Sequence, residues 1–220
     1  MDLLEKYQEI QVTTAIRIEL HYLPSLAWFT AVLPFDTVWL EAAEHYQKQS
    51  YRNRCYVRSA NGVERLTIPV QEGTHKQPIR EVRIDTRQAW QDHHWRSLSA
   101  AYKKAPFFEY YESYFRQAYA KNWKYLFDVN TEMLTICLNL LNWKKEVSLT
   151  ERFDRQVDNE IADGRFKLKG RPGDQIDSLY RPYPYLQNFG SDFAPNLSII
   201  DLLFCQGPAA GDVLRRSRPE

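Results

Sequence analysis

Two β-rich segments separated by one short helical segment place the strongest constraint on the fold of this chain. Residues 13–20 are rich in β-branched and apolar side chains, and residues 36–42 form a second segment of the same kind. Between them, residues 25–33 form a helical stretch that starts after Pro24 and stops at Pro34. Strands joined through a helix pair in parallel with a right-handed crossover. The pattern therefore predicts a βαβ unit.

A tight hairpin is the clearest local signal in the sequence. Asn61-Gly62 lies between β-rich runs at residues 55–60 and 63–70. The pair predicts a two-residue type I′ turn, because both central residues of that turn need a positive φ. Residues 80–85 alternate apolar and polar side chains, which predicts one more strand.

From residue 86 onward the spacing of apolar residues changes from about two to about 3.6, which indicates helices. We predict helices over residues 88–104, 106–120 and 125–142, a short strand over 146–153 and a closing helix over 197–204. The fold class is therefore α/β, with a mixed sheet that contains the N-terminal βαβ unit and the β-hairpin. A C-terminal layer of about four helices is expected to cover it.

The length of the chain favours one domain over residues 1–220, with a core over residues 13–207. Residues 154–182 are polar and rich in charged residues, so we expect a mobile loop there. Such a loop can be a lid over a site or plain disorder, and the sequence leaves both open. The tail over residues 208–220 is expected to be frayed.

The charge balance argues against two classes of partner. Twenty-nine basic and 28 acidic residues give a net charge of +1, whereas proteins that bind nucleic acids or membrane surfaces carry a strong basic excess. No uncharged apolar run reaches the length of about 18 residues that a membrane span needs. Residues 1–10 lack the apolar core of a signal peptide. We therefore expect a cytoplasmic protein.

The sequence lacks the common cofactor motifs. It contains no GxGxxG, no GxxxxGK[ST] and no HExxH, and it has only 8 glycines, which argues against cofactors held by glycine-rich loops. Cys55, Cys137 and Cys205 show no CxxC spacing, so neither a zinc site nor a disulfide framework is indicated. We expect no metal and no cofactor, and three reduced thiols fit a cytosolic compartment.

Three ionisable residues in apolar surroundings are candidates for catalysis. His21 follows the first strand at the carboxyl edge of the sheet, where open α/β sheets bind ligands. His94 lies on the inner face of its helix, whereas His93 points to solvent. Asp201 interrupts an apolar helix and shares a face with Ser198. For each of the three residues the alternative is a purely structural role, because buried polar networks also form without any catalytic function.

The polar run over residues 47–54 is the candidate for substrate binding. Guanidinium groups bind phosphates or carboxylates through paired hydrogen bonds, and an asparagine can bind a hydroxyl or an amide. The candidates in this run are Gln47, Lys48, Arg52, Asn53 and Arg54. Lys103 adds a positive charge at the end of its helix. The alternative is a solvated loop, with a lysine that only complements the helix dipole.

Four blocks of the sequence resemble the WbqC-like family of bacterial proteins. The first block consists of His21–Pro24 and Trp28-Phe29, and the second of Gln47, Arg52–Arg54 and Leu66–Val70. The third block is Trp95–Phe107, and the fourth consists of Tyr185, Gln187 and Pro195–Phe204. The resemblance covers residues 14–207, and the last block is the most similar. Two positions depart from the family pattern. Tyr22 stands where the family has Gln, and Ala27-Trp28 where it has Gly-Tyr.

The resemblance implies a component of bacterial surface-polysaccharide biosynthesis. We expect an enzyme of acyl, aminoacyl or glycosyl transfer whose small-molecule substrates are nucleotide-linked or amino sugars. The expected roles are a general base for His21 or His94, a diphosphate site for Arg52, Arg54 and Lys103, contacts to sugar hydroxyls for Asn53 and Gln187, and an orienting carboxylate for Asp201. Further expected substrate-binding residues are Tyr22, Gln47, Lys48 and Ser198. The alternative is a non-catalytic sugar- or nucleotide-binding or scaffold protein, in which His21 and His94 do not converge on one pocket.

Overall fold

The computed structural model describes residues 14–71, 76–168 and 178–219. The strands, in chain order, are β1 (Ala15–Glu19), β2 (Thr37–Glu41), β3 (Arg54–Ser59), β4 (Gly62–Thr67), β5 (Glu146–Leu149) and β6 (Ile161–Asp163). The α-helices are α1 (Leu26–Val32), α2 (Trp90–Tyr102), α3 (Phe108–Tyr119), α4 (Leu126–Leu140), α5 (Ile199–Gln206) and α6 (Ala210–Arg216). Short 3₁₀ helices span Ile79–Glu81 and Gly207–Ala209. The predicted α/β class is confirmed.

Four strands form one parallel sheet in the order β5-β2-β1-β6. The predicted βαβ unit is confirmed, because α1 connects β1 to its parallel neighbour β2. β3 and β4 pair antiparallel in a separate two-stranded sheet, so the hairpin does not extend the parallel sheet.

The alternation of side chains gives the parallel sheet two different faces. On one face, Ile16 and Ile18 of β1 and Val38 and Leu40 of β2 are buried in the hydrophobic core. The other face, called the polar face below, carries charged side chains in register across the strands. One row consists of Asp163, Arg17, Trp39 and Ser148, and the next row contains Glu19 and Glu41.

The N-terminus of α1 is held by the segment that precedes α5. The backbone N–H of Ala27 donates to Oδ1 of Asn196 at 2.9 Å. The hydroxyl of Ser198 donates to the Leu23 carbonyl at 2.8 Å, and it also caps α5 by accepting from the N–H of Ile200. These bonds join the two ends of the described chain, so α1 and α5 stabilise each other.

The predicted β-hairpin is confirmed, but its turn is of another type. Ser59 pairs with Gly62, which leaves Ala60 and Asn61 as the central residues. Gly62 is the turn residue with a positive φ, at +106°. A type I turn followed by a glycine bulge has this geometry, whereas a type I′ turn needs positive φ at both central positions. The predicted type I′ turn is therefore wrong.

The helical layer follows the predicted periodicity. α2, α3 and α4 confirm the three central helices, and α5 confirms the closing helix. Phe204 of α5 packs against both α2 and α3, because its ring contacts those of Tyr102 on α2 and of Phe108 and Phe115 on α3, at centroid distances of 5.3, 5.0 and 5.6 Å. Within the described residues, no helix combines the length and the apolar composition needed to cross a membrane.

The strand predicted over residues 80–85 is wrong. The segment begins with the end of a 3₁₀ helix and continues in isolated bridges rather than in a ladder. Its backbone pairs instead with the start of α4, where Leu126 N–H donates to the Val82 carbonyl and Ile84 N–H donates to the Lys124 carbonyl. The alternating pattern reflects burial of Val82 and Ile84 against the core, which an irregular segment satisfies equally well.

Two segments are more ordered than the sequence predicted. Within residues 154–182, expected to be a mobile loop, β6 pairs with β1, and Arg165 and Tyr180 are buried; residues 169–177 lie outside the described residues. The tail over residues 208–220 is not frayed in its described part. It forms α6, because apolar residues at helical spacing bury one side of it.

We expect Gly164→Ala to destabilise the fold at the junction of β6 and β1. A Cβ at position 164 would lie 2.9 Å from Ile16 Cδ1 and 3.3 Å from the Arg17 carbonyl oxygen, so the free energy of unfolding should fall by about 1–3 kcal/mol. Urea denaturation measures this. Gly211→Ala in α6 is the matched control, because its nearest neighbour is 3.6 Å away and a helical alanine should add about 0.5–1 kcal/mol. Equal effects of both substitutions would contradict the prediction.

Candidate functional site

The polar face of the parallel sheet and the segments above it bring three arginines and three glutamates into the interior. These residues are Arg17, Glu19, Glu41, Glu44, Arg52 and Arg165. Each side chain is at most 8% exposed. A buried charge without a partner is costly, so the fold depends on how these six groups pair.

Glu41, at the end of β2, is the centre of the first ion cluster. Its Oε2 accepts from Arg17 Nε at 2.8 Å and from Arg165 Nη1 at 3.2 Å. Its Oε1 accepts from the Thr150 hydroxyl at 2.6 Å and from the Ala43 N–H at 3.2 Å. These four hydrogen bonds compensate the loss of hydration and connect β1 and β2 to the segment after β5.

Arg52 connects two carboxylates in the second ion cluster. Its Nε and Nη2 donate to the two oxygens of Glu44 at 2.7 and 2.5 Å, a bidentate pair. Nη2 also donates to Glu19 Oε1 at 3.2 Å, and the Phe166 N–H donates to the same oxygen at 2.5 Å. The guanidinium is therefore engaged by carboxylates, in place of the open diphosphate contact that the sequence predicted for Arg52.

A cleft of about 310 Å³ lies beside Glu44, and we call it the Glu44 cleft. Its lining residues are Glu44, His45, Tyr46, Gln47, Lys76, Phe153 and Phe166. The rings of Phe153 and Phe166 meet edge to face at 6.3 Å, and both are about two-fifths exposed. Exposed aromatic rings around a buried carboxylate suit a small ligand that has both apolar and polar faces.

The environment of Glu44 changes the pKa of its carboxyl group. Its pKa is raised to about 7, first because burial disfavours the charged form and also because Glu19 and Glu41 repel it. The hydrogen bonds from Arg52 act in the opposite direction and do not cancel the effect of burial. A carboxyl group that titrates near neutral pH can both accept and release a proton, which general acid–base catalysis needs.

A second cleft, of about 400 Å³, lies on the polar face, and we call it the Trp39 cleft. Its lining residues are Arg17, Trp39, Leu149, Thr150, Glu151, Arg152, Asp154 and Ile161. Arg152 and Asp154 line this cleft, whereas Phe153 between them lines the Glu44 cleft. One short segment therefore borders both clefts.

His94 and Tyr22, both predicted site residues, form a separate buried group with Tyr119. His94 Nε2 donates to the Thr67 carbonyl at 3.2 Å, so Nδ1 accepts from the Tyr22 hydroxyl at 2.9 Å. The Tyr22 hydroxyl also contacts the Tyr119 hydroxyl. Burial lowers the pKa of His94 to about 3. The predicted inward orientation of His94 and outward orientation of His93 are confirmed. The lone pair on Nδ1 of His94, however, already accepts the hydrogen bond from Tyr22.

Asp201 belongs to a third group, at α5. Its Oδ1 accepts from the Tyr102 hydroxyl at 2.7 Å, and its Oδ2 accepts from the Tyr185 hydroxyl at 2.6 Å and from Gln187 Nε2 at 3.2 Å. Burial raises the pKa of Asp201. Within the described residues, Arg52, His94 and Asp201 have no hydrogen-bond partner in common, so the structure keeps the predicted residues in three groups.

His21 is completely buried but lines neither the Glu44 cleft nor the Trp39 cleft. Its ring stacks on Tyr51 at 5.3 Å, and neither ring nitrogen has a hydrogen-bond partner among the described residues. Burial, with a smaller effect of Arg52, lowers the pKa of His21 well below its usual value. The histidine is therefore neutral at physiological pH.

The remaining predicted site residues are spread over the surface and the core. Gln47 is exposed and lines the Glu44 cleft, while Lys48 and Lys103 are exposed outside both clefts. Asn53 is buried and donates to the Ile68 carbonyl at 2.9 Å, and Arg54 lies half-buried on β3. Ser198 caps α5, as described above. In the described part of the chain, no group of three or more His, Cys, Asp or Glu side chains has the arrangement of a metal site.

The sequence patterns did not predict the two ion clusters or either cleft. One signal was present, because Arg17 and Glu19 alternate with the apolar residues of β1, β2 ends in Glu41, and Glu19 and Glu41 stand in register. Charged residues on two neighbouring parallel strands imply partners from elsewhere in the chain. Nothing local identifies those partners, since Arg165 is 124 residues from Glu41.

Comparison with known proteins gives the family. The profile of the WbqC-like protein family matches residues 20–169, which include Glu41, Glu44, Arg52 and Arg165 of the ion clusters and begin just after Arg17 and Glu19. The chain belongs to the WbqC-like protein family. Uncharacterized protein Rv1507c of Mycobacterium tuberculosis is 26% identical over 234 residues, which cover 91% of this chain and 97% of that protein. No solved structure matches. The matched range of the WbqC-like profile ends before Pro195–Phe204, the block that the sequence analysis found most similar.

We expect Glu41→Gln in this WbqC-like protein to lower the free energy of unfolding by about 3–5 kcal/mol, because it removes the charge that Arg17 and Arg165 share. Chemical denaturation measures the change. Asp212→Asn is the matched control, since Asp212 pairs with Arg215 on the surface and its loss should cost less than about 1 kcal/mol. A cost at Glu41 no larger than at Asp212 would show that the cluster does not stabilise the fold.

Proposed function

We propose that this protein is a group-transfer enzyme whose substrates are nucleotide-linked or amino sugars of bacterial surface-polysaccharide biosynthesis. The proposal takes acyl, aminoacyl or glycosyl transfer as the reaction and the Glu44 cleft as the reaction site. The observation that carries it is a buried carboxyl group whose pKa is raised to about 7 and which lines an open cleft. Perturbed pKa values in clefts are typical of catalytic groups.

In the proposed reaction Glu44 is the general base. Its carboxylate accepts the proton of a sugar hydroxyl or amine while that oxygen or nitrogen attacks the electrophilic carbon of the donor. The new bond forms as the bond to the donor's leaving group breaks, and the proton passes from Glu44 to the leaving group or to solvent. Arg52 fixes the orientation of the carboxylate through its bidentate pair.

The lining of the Glu44 cleft supports a sugar as the ligand. The C–H face of a sugar ring packs against aromatic rings such as those of Phe153 and Phe166, while its hydroxyls need hydrogen-bonding groups. Gln47 and Lys76 supply such groups beside Glu44. In this proposal Gln47 keeps its predicted substrate-binding role, and the general base is Glu44 in place of His21 or His94.

One observation favours the second candidate, a non-catalytic sugar- or nucleotide-binding protein of the same pathway. His21, His94 and Asp201 lie in different groups, which is the arrangement expected of that alternative. Both candidates place the protein in the cytoplasm, where nucleotide-linked sugars are available. Cys55, Cys137 and Cys205 are free and buried, which fits a reducing compartment.

We expect a panel of nucleotide and amino sugars, paired with acyl and glycosyl donors, to contain a pair that the protein converts. Glu44→Gln should lower the turnover rate of that pair by about 10²- to 10⁴-fold, the usual contribution of a general base, and leave the ligand-induced thermal shift in place. Because the base acts when deprotonated, the wild-type rate should rise with pH through about 7 and then level off.

Glu109→Gln is the control for this experiment, since Glu109 is exposed on α3. Its turnover should equal that of the wild type. Ligands that shift the melting temperature without any conversion would establish the non-catalytic candidate instead. Conversion that is equally fast in Glu44→Gln would show that the base lies elsewhere.

A further inference from the structure

Trp39 differs from the other five tryptophans of the chain. Each of the others contacts an aromatic ring or a cation: Trp28 and Trp143 contact Phe29, Trp90 contacts His94, Trp95 contacts Phe108, and Lys121 lies over Trp123. Within the described residues, no aromatic ring packs against Trp39 and no cation lies over the face of its ring. It is half-buried in the middle of the sheet, on the polar face, and lines a cleft of about 400 Å³.

The polar groups beside Trp39 are fixed by one another. The Asp154 carboxylate accepts from Arg17 Nη1 at 3.1 Å and forms an ion pair with Arg152, whose Nε lies 3.0 Å from Oδ1. Arg17 in turn is held by Glu41 and by the Arg152 carbonyl, which accepts from Nη2 at 2.6 Å. The Asp154 side chain is still 38% exposed, so this oriented carboxylate keeps room to accept further hydrogen bonds.

We propose that the Trp39 cleft binds the nucleoside part of a nucleotide-linked substrate. The flat base stacks on the indole of Trp39, and the vicinal hydroxyls of the ribose donate to Asp154. This inference rests on the proposed function for its choice of a nucleotide-linked substrate. The cleft and its residues are independent of Glu44, so each proposal can fail without the other.

Three features of the cleft carry this proposal. Its volume lies within the range of about 300–1,000 Å³ that is usual for small-molecule sites. Its two cations, Arg17 and Arg152, are balanced by Glu151 and Asp154, which suits an uncharged nucleoside better than a free anion. Base stacking on aromatic rings and ribose hydroxyls bound by a carboxylate are recurrent ways to hold a nucleoside.

The segment over residues 152–154 separates the two clefts. The side chain of Phe153 lines the Glu44 cleft, while its neighbours Arg152 and Asp154 line the Trp39 cleft. A substrate with a nucleoside at one end and a sugar at the other then has a site for each end on the two sides of one segment. The exposed Arg152 side chain supplies a cation for the phosphates that join them.

Saturation-transfer NMR with the full chain tests the proposal. The probes are adenosine, guanosine, cytidine, uridine, their 2′,3′-dideoxy forms and methyl glycosides of common hexoses. At least one nucleoside should receive saturation at its base protons. Trp39→Ala should weaken that binding by about 10- to 100-fold, the range expected for loss of one stacked base, and Trp39→Phe should retain much of it.

Two further variants make the test specific. Asp154→Asn should weaken binding of the ribonucleoside by about tenfold and change binding of the dideoxy form little, because only the ribose hydroxyls donate to the carboxylate. Trp123→Ala is the matched control, since Trp123 is also half-buried but lines a different cleft. It should bind like the wild type, and circular dichroism melting curves verify the fold of each variant.

The outcomes separate the two proposals. Nucleoside binding that survives in Glu44→Gln supports the Trp39 site whatever the fate of the reaction. Turnover that depends on Glu44 without binding of any nucleoside overturns this inference and leaves the proposed function standing. Binding of methyl glycosides alone, or nucleoside binding unchanged by Trp39→Ala, also overturns it.

Discussion

The pairing of buried charges on the polar face is the constraint on which the rest of this structure depends. Strand alternation forces Arg17, Glu19 and Glu41 to one side of the sheet, because the other side must bury isoleucine, valine and leucine. Once these charges leave water, the chain has to supply partners for them. Arg165 from beyond β6 and Arg52 from the loop before β3 meet this need. The ion clusters therefore fix the loops that form both clefts.

The sequence predicts the parts of the fold whose signals are local. The βαβ unit, the hairpin and α2 to α5 each follow from a pattern within one segment. The strand predicted over residues 80–85 is wrong because its alternation marks burial and not pairing. The ordered β6 and α6 escaped the prediction for the opposite reason. Their stability comes from contacts with distant residues, such as the pairing of β6 with β1, which composition does not reveal.

The candidate site was harder to predict than the fold, since a polar residue in a motif can serve either chemistry or structure. His94 and Asp201 were correctly expected to be buried, Ser198 is buried as well, and the polar atoms of all three form hydrogen bonds with neighbouring residues. Their partners, Tyr22, Tyr102 and the Leu23 carbonyl, lie 72 to 175 residues away. Glu44 looked like an ordinary loop residue, because its raised pKa arises mainly from burial in the folded chain, with a smaller effect of repulsion by Glu19 and Glu41.

The polar face explains why open clefts lie along this sheet. Parallel sheets are usually covered by helices on both faces, and their strands are then apolar throughout. Here β1 and β2 alternate, and the polar face is covered by side chains and turns of residues 150–166, whose backbone is held by hydrogen bonds to buried charged side chains. Such a cover leaves open space that a packed helix would fill, and both clefts lie along it. The charges that the fold must satisfy thus also supply the carboxylates and guanidinium groups that border both clefts, so the same residues that stabilise the fold form the walls of the proposed sites.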